Sequence, residues 1–384
     1  MHKVLLISSK NWDSLKEIPV MLKEAGCYVE IFAAKESWVL ANSFYDRWIE
    51  GNRDEYEFVN EVIAFLEIHA GDYAWIIPGD DIIIRLLNQK ISSVELFEKV
   101  MPVTKIENRA VLGSKAGLSE LCRQYNIKTP RYLVYDDTQT IESIAAYMGF
   151  PMMIKEDESE GGFGVFRCDN VTELAEIFNK ITKRKNLVFQ QLIDGTDVNT
   201  DALFRNGRLL VYSHSLRMKT MGAFGISTQR TFYRNDVLDN ILMKLGETFG
   251  LSGFGNIVFI KDKHTGDHYL IEIDMRPNSW MYYGKFTGND FSLAIKNLVN
   301  ENYTHIKPAG KAAHKKTIIT LYKKDIYRCI TSKDVKGLMY WVINRDGRWR
   351  YIPLYDKKLF RAVNTYLFDT LKGYVNAKRK RIFG

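Results

Sequence analysis

Three short segments carry residues whose types and spacing could do phosphate chemistry. The first, Met152-Met153-Ile154-Lys155, ends an apolar run on a lysine and leads into Glu160-Gly161-Gly162-Phe163-Gly164-Val165. Lysine supplies a point charge, and small residues let backbone N–H groups close over phosphate oxygens. A tight hairpin is the competing reading of the glycines alone. The phosphate loop GxxxxGK[ST] is absent from the sequence. The second segment, Glu272-Ile273-Asp274-Met275-Arg276-Pro277-Asn278, has strand alternation that puts Glu272, Asp274 and Arg276 on one face. Two carboxylates and a guanidinium together suit Mg2+ with a phosphoryl group, or neutralise one another as a salt bridge. The third is Asp80-Asp81 at the end of an apolar strand, facing either a ligand crevice or solvent. His214 and His268 fall in or beside strands and read as structural or exposed; no Ser, Cys or His arrangement demands covalent catalysis.

The elements that must position these residues change character along the chain. Val4–Ile7, a helix from about Trp12 to Ala25 closed by Gly26, Tyr28–Phe32 and Tyr73–Ile77 alternate as β-α-β, the rhythm of a doubly wound α/β sheet. The turn after the first strand, Ser8-Ser9-Lys10-Asn11-Trp12, has no glycine, which argues against a dinucleotide site. Beyond Pro130, strands dominate: Tyr132–Tyr135, Met152–Lys155, Gly164–Arg167, Leu187–Gln191, Asp201–Phe204, Leu209–Tyr212, Gly255–Lys261 and Tyr269–Met275. Helices are expected near Ile141–Met148, Val171–Thr182 and Asp236–Phe249, which makes this an α+β region.

The 384 residues, 46% hydrophobic and 26% charged, can bury a large core in two or three units. No apolar run reaches the length of a membrane span, and MHKVLLISSKNW lacks the parts of a signal peptide. Cys27, Cys122, Cys168 and Cys329 lie far apart, which excludes a disulfide scaffold or zinc module and suits a reduced, cytoplasmic protein. The net charge of +8 is uneven: residues 307–384 hold 20 Lys/Arg against 5 Asp/Glu, whereas residues 1–306 hold 34 against 41.

The order and spacing of five segments resemble the ATP-grasp superfamily, which includes biotin carboxylase, carbamoyl-phosphate synthetase and D-alanine–D-alanine ligase. They are Gly113-Ser114-Lys115 with Asn126–Pro130, Ile154-Lys155, Glu160–Val165, Phe189–Gly195 and Ile271–Pro277, and the likeness covers roughly residues 1–300. It is nearest to the carboxylate–amine ligases related to carbamoyl-phosphate synthetase. The resemblance implies a Rossmann-like pre-ATP-grasp domain over 1–105, an ATP-grasp domain over 106–305 and a basic aromatic extension over 306–384. It also implies site roles. Lys115 and Lys155 contact ATP phosphates, under a loop of Gly161, Gly162 and Gly164. Gln190, Gln191, Leu192 and Ile193 form the adenine hinge, and Asp197 faces the ribose. Glu272 and Asp274 hold Mg2+, and Arg276 stabilises the transferred phosphoryl group or the tetrahedral intermediate. Arg217, Lys219 and Arg230 face a γ-phosphate or carboxylate, or form a solvated hairpin. The chain departs from the family at Gln191 (commonly Glu), Asp274 (usually Asn) and Val258, where relatives carry a metal-binding Asp, Glu or Gln. The added carboxylate of Asp274, or a residue elsewhere such as Asn256, is a candidate to compensate for Val258.

The implied reaction is ATP-dependent joining of a carboxylate to an amine through an acylphosphate, releasing ADP and phosphate, with ATP and Mg2+ as cofactors. A kinase on the same fold and a catalytically degenerate ATP-binding protein are the alternatives. The acceptor could be a small molecule or a glycan or lipid-linked molecule, and a homodimer is common among relatives. The tail has twelve aromatics and a helical stripe of Leu359, Val363, Leu367, Leu371 and Tyr374 before Lys378-Arg379-Lys380-Arg381. It could dock on the core with a solvated basic end, or make peripheral contact with the inner face of a membrane through 357–381. Nucleic acid is the least favoured partner.

Overall fold

The computed structural model describes residues 1–9, 12–157, 159, 164–182, 184–222, 225–307 and 316–383, with side chains to 377. Four strands, β1 (Lys3–Ser8), β2 (Tyr28–Ala33), β3 (Arg47–Glu50) and β4 (Trp75–Pro78), pair in parallel in the order β3-β2-β1-β4. Val4, Leu5, Leu6 and Ile7 are all fully buried because helices cover both faces. Val4 and Leu6 meet α1 (Ile18–Glu24), whereas Leu5 and Ile7 meet α2 (Glu55–His69) and α3 (Asp81–Lys90). The helix expected from Trp12 starts only at Ile18. Pro19, within the first two helical positions, suits a helix start and lacks the N–H that an earlier start would need.

Helices α4 (Val94–Val100) and α5 (Lys115–Gln124) lead to a small antiparallel sheet. Its strands β5 (Tyr132–Val134), β6 (Met152–Lys155), β7 (Val165–Cys168) and β8 (Val188–Gln191) run in the order β5-β8-β6-β7, covered by α6 (Ile141–Met148) and α7 (Val171–Lys180). The larger sheet is built from β9 (Gly195–Arg205), β10 (Arg208–Thr220), β11 (Ser227–Phe232), β12 (Gly253–Asp262) and β13 (His268–Asp274), with α8 (Asp236–Phe249) and α9 (Phe291–Val299) packed on it. Asn206 and Gly207 take φ of 48° and 80°, the geometry that closes a two-residue hairpin between β9 and β10. So a parallel α/β domain precedes antiparallel α+β units, as the strand pattern indicated.

The basic C-terminal residues complete this body. β14 (Thr317–Thr320) pairs with β11, giving the six-stranded order β13-β12-β9-β10-β11-β14. Helices α10 (Tyr322–Thr331) and α11 (Val335–Val342) gather around Asp325, whose buried carboxylate accepts bonds from Trp341 Nε1, Thr228 Oγ1 and Arg328 Nε at 2.9–3.0 Å. In α12 (Lys357–Phe383), Leu359, Val363 and Leu367 turn inward, the first two against Trp38. Of the two readings of this stripe, docking on the core is the one that Leu359, Val363 and Leu367 take. No helix among the described residues is long and apolar enough to cross a membrane. The four cysteines are free and buried.

Asp356 ties α12 to the first domain: its carboxylate accepts from Ser43 N at 2.6 Å and caps Lys358 N and Leu359 N at 2.8 and 3.2 Å. Asp356→Ala leaves these donors unpaired and should lower the unfolding free energy by about 2–3 kcal/mol. Asp356→Asn, which keeps one acceptor oxygen, should lose less. Urea melts of both variants check the order.

Candidate active site

The two β-strand ends and two helix starts converge on one open cleft of about 580 Å³. Asp81 and Arg85 come from the first turns of α3, Ser114 and Lys115 from the start of α5, Asp157 and Ser159 from beyond β6, and Glu272, Asp274 and Arg276 from β13 and its exit. Strand alternation along β13 does what the sequence indicated, bringing Glu272, Asp274 and Arg276 together. The Asp80-Asp81 pair divides. Asp80 is buried, caps α3 through Ile83 N and holds Ser9 N at 3.0 Å, whereas Asp81 enters the cleft.

Arg276 is the best-held group there. Its Nε donates to Asp81 at 2.5 Å and its Nη2 to Asp274 at 3.1 Å, while its guanidinium lies 4.2 Å from the Trp12 ring centre. Burial works against its charge, but Asp81 and Asp274 outweigh burial and raise its pKa. Asp274 is pushed well above the usual carboxylate range, by burial first and then by Glu272, with Arg276 opposing and Asp81 adding to the rise. Four carboxylates (Asp81, Asp157, Glu272 and Asp274) line the cleft against three cations (Arg85, Lys115 and Arg276). That excess fits a hard divalent cation. Glu272 and Asp274 supply oxygen donors, and Mg2+ typically takes one or two carboxylates and completes its shell with phosphate and water. Among the described residues no three Asp, Glu, His or Cys side chains are grouped so as to hold a metal ion by themselves.

Lys115 Nζ bridges Asp157 O and Ser159 O at 2.9 and 2.8 Å, pinning the start of the glycine loop. Asp157 in turn accepts from Ala116 N and Ser114 Oγ at the α5 N-terminus. Lys155 Nζ donates to Gln190 Oε1 at 2.6 Å, so the residue before Gln191 orients this lysine. Burial pushes Lys155 down to about 8, with Glu272 opposing and Lys115 adding to the drop. Gly161 and Gly162 lie outside the described residues. Gly164 has φ of 67°, and a Cβ there would meet Ser159 and Glu156 at 2.9–3.0 Å. Gln191 ends β8 with its N–H given to Arg131 O, and Leu192 and Ile193 follow the strand. Asp197, on β9, forms an ion pair with Arg217.

The large sheet brings further polar groups into register with β13. Val258 lies opposite Glu272 and Asn199, and Asn256 opposite Asp274 and Asp201. The aliphatic side chain of Val258 therefore adjoins the acidic pair. Asn256 gives its amide N–H to Asp201 at 2.8 Å, as Asn278 does at 2.6 Å. Arg230 is buried, 3.8 Å from Asp201 and 4.5 Å from the Trp280 ring, and burial pushes its pKa down to about 10. It is no solvated hairpin residue, whereas Lys219 is exposed. Sequence reasoning missed Trp12, Asp157, Asn199 and Asp201. Trp12, Asp157 and Asp201 act through partners remote in sequence, and Asn199 is placed only by its cross-strand position opposite Val258, although Asp157, two residues past Lys155, had a local signal in its position.

Residues 113–212 match the model of the RimK-like ATP-grasp domain. This stretch of the chain is an ATP-grasp domain. An ATP-grasp core thus spans the start of α5 to the middle of β10. A carbamoyl-phosphate synthase of Methanobrevibacter smithii is 22% identical over 197 residues, 48% of this chain and 52% of that protein. A D-alanine–D-alanine ligase of Acinetobacter baylyi is 20% identical over 190 residues, 45% of this chain and 60% of that protein. The chain thus spans about half the length of these curated relatives. The structure of an L-amino acid ligase from Bacillus licheniformis superposes with a TM-score of 0.59 at 17% identity, covering 80% of this chain and 78% of that one, a likeness of fold.

Two outcomes are expected for an ATP-grasp site of this geometry. With its pKa lowered to about 8 by burial, Lys155 would meet an ATP phosphate as a cation only while protonated. ATP affinity should thus be level below that pH and fall by about tenfold per pH unit above it. Lys155→Arg should remove the dependence, as binding titrations across pH would read. Gly164→Ala forces a left-handed φ and a steric clash on the loop, costing about 1–2 kcal/mol, or roughly tenfold in turnover. Steady-state kinetics check it.

Proposed function

We propose that the chain is an ATP-dependent ligase that joins a carboxylate to an amine through an acylphosphate, releasing ADP and phosphate. One observation carries the reading: Glu272, Asp274, Arg276 and Lys115 meet in a single cleft that four carboxylates line against three cations. Lys115 and Lys155 bind the phosphates, with the Gly161–Gly164 loop closing over them and excluding water that would hydrolyse an acylphosphate. Gln190 orients Lys155, and the backbone from Gln191 to Ile193 meets adenine with Asp197 near the ribose. Arg276, braced by Asp81 and Asp274, stabilises charge on the phosphoryl group in flight. Mg2+ on Glu272 and Asp274 would draw charge from the phosphoryl oxygens. The units 1–105, 106–305 and 306–384 divide the labour: the first and second enclose the cleft, and the third braces them.

The relatives named above include ligases of amino acids, which supports an amino acid or amino sugar as one substrate; a glycan or lipid-linked acceptor is the larger variant. A homodimer follows the habit of the superfamily. Val258 beside Glu272 favours the second reading, an ATP-binding protein without turnover, and a kinase is the third.

Product analysis with Mg-ATP, a panel of carboxylates and hydroxylamine separates these readings. Carboxylate-dependent ADP with a hydroxamate is expected, and Lys155→Ala or Glu272→Ala should abolish it while the melting temperature holds. ADP with a stable phosphorylated product instead would make the chain a kinase. ATP binding without ADP, even with larger glycan and lipid-linked acids in the panel, would favour the degenerate reading.

A further inference from the structure

Helix α11 is covered on one side only. Gly337 and Trp341 face inward, whereas Val335, Met339 and Val342, at i, i+4 and i+7, form one stripe that is 68, 51 and 69% exposed. Ile343 extends the apolar surface past the helix end. Trp349 stands exposed beside that end, fixed by its Nε1 donating to Trp341 O at 2.7 Å.

Cations frame the stripe. Lys336 and Arg345 lie 5.8 and 5.4 Å from the Tyr340 ring on its flank, and Lys333 and Arg350 are also exposed. Of the two acids between residues 333 and 350, Asp334 is bound to Arg328 and caps α11. Asp346 stands 3.9 Å from Arg345.

We infer that this face of α11 rests on an anionic lipid surface, its apolar stripe and Trp349 entering the headgroup layer while the flanking cations meet lipid phosphates. A one-sided apolar helix with a tryptophan and a basic margin has the composition of an interfacial helix. Charge decides between this occupant and a second copy. Two copies of this face, each presenting exposed Lys333, Lys336, Arg345 and Arg350 against the single acid Asp346, repel when brought together, and an anionic bilayer attracts both. The surface differs from the α12 stripe, which is consumed by packing on Trp38.

Co-sedimentation of the full chain with vesicles tests it. Binding is expected to phosphatidylcholine vesicles containing phosphatidylglycerol and not to phosphatidylcholine alone, and should weaken as salt rises. Val335→Ser/Met339→Ser/Val342→Ser should reduce the partition by about tenfold or more. Lys336→Glu/Arg345→Glu should reduce it as well, both with unchanged thermal melts. Absent or lipid-indifferent binding, or undiminished binding by the triple variant, would overturn the inference. So would a dimer of the wild-type chain that the triple variant dissolves, since that gives the face to a second copy.

Discussion

The clamp on Arg276 is the constraint on which the cleft depends. A buried guanidinium needs compensating partners, and here they come from two different domains: Asp274 from the large sheet and Asp81 from the first turn of α3. Trp12, in the turn after β1, covers the remaining face. Removing the arginine would leave Asp81, Asp274 and Glu272 as uncompensated neighbours, a heavier penalty than the loss of any one bond. The parallel sheet is therefore part of the site. Its β1 and β4 ends deliver Ser8, Ser9 and Asp80, whose mutual hydrogen bonds fix the start of the turn that carries Trp12.

Behind the cleft, the antiparallel sheet solves a second charge problem. Asp201 is fully buried two strands from Asp274, where a bare carboxylate would be costly. Two amide donors, Asn256 and Asn278, and the more distant Arg230 answer it. Asp201 thus links β9 to Asn256 on β12 and Arg230 on β11, and Val258 is an apolar position on this face beside Glu272. The position matters because cross-strand neighbours share an environment: a ligand at Glu272 would touch valine where an oxygen could have stood.

What the sequence made legible follows from this geometry. Glu272, Asp274 and Arg276 were readable as neighbours because strand alternation is a local rule that carries through β13 and its exit. The helices Ile141–Met148 and Asp236–Phe249 were readable to the residue because each has an N-cap side chain and a glycine at its end. The full lengths of β9 and β10 were not. Their ends carry Thr196, Asp197, Asn199, Arg217 and Lys219, polar because of the face they serve, and they broke the apolar pattern that marks a strand. The Asp81–Arg276 pair, 195 residues apart, leaves no local trace. Nor does the union of β14 with β11, since four residues of Thr and Ile suit many edges.

The C-terminal charge, read from composition as a separate property of the tail, turns out to be partly structural. Arg328 and Arg348 neutralise buried Asp325, and Lys307 meets Asp239. Lys323 and Lys324 reach across to Asp13 at 2.8 and 3.3 Å. Burial alone would raise the Asp13 pKa, yet Lys324, Lys16 and Lys323 hold it well below the carboxylate range. Asp13 adjoins Trp12, and Trp12 lies on Arg276. The basic module thereby grips the turn that completes the cleft, through a salt bridge next in sequence to the residue that stacks on the guanidinium. A chain of contacts that short lets the packing of α10 bear on the position of Trp12, so the basic tail supports the cleft without lining it.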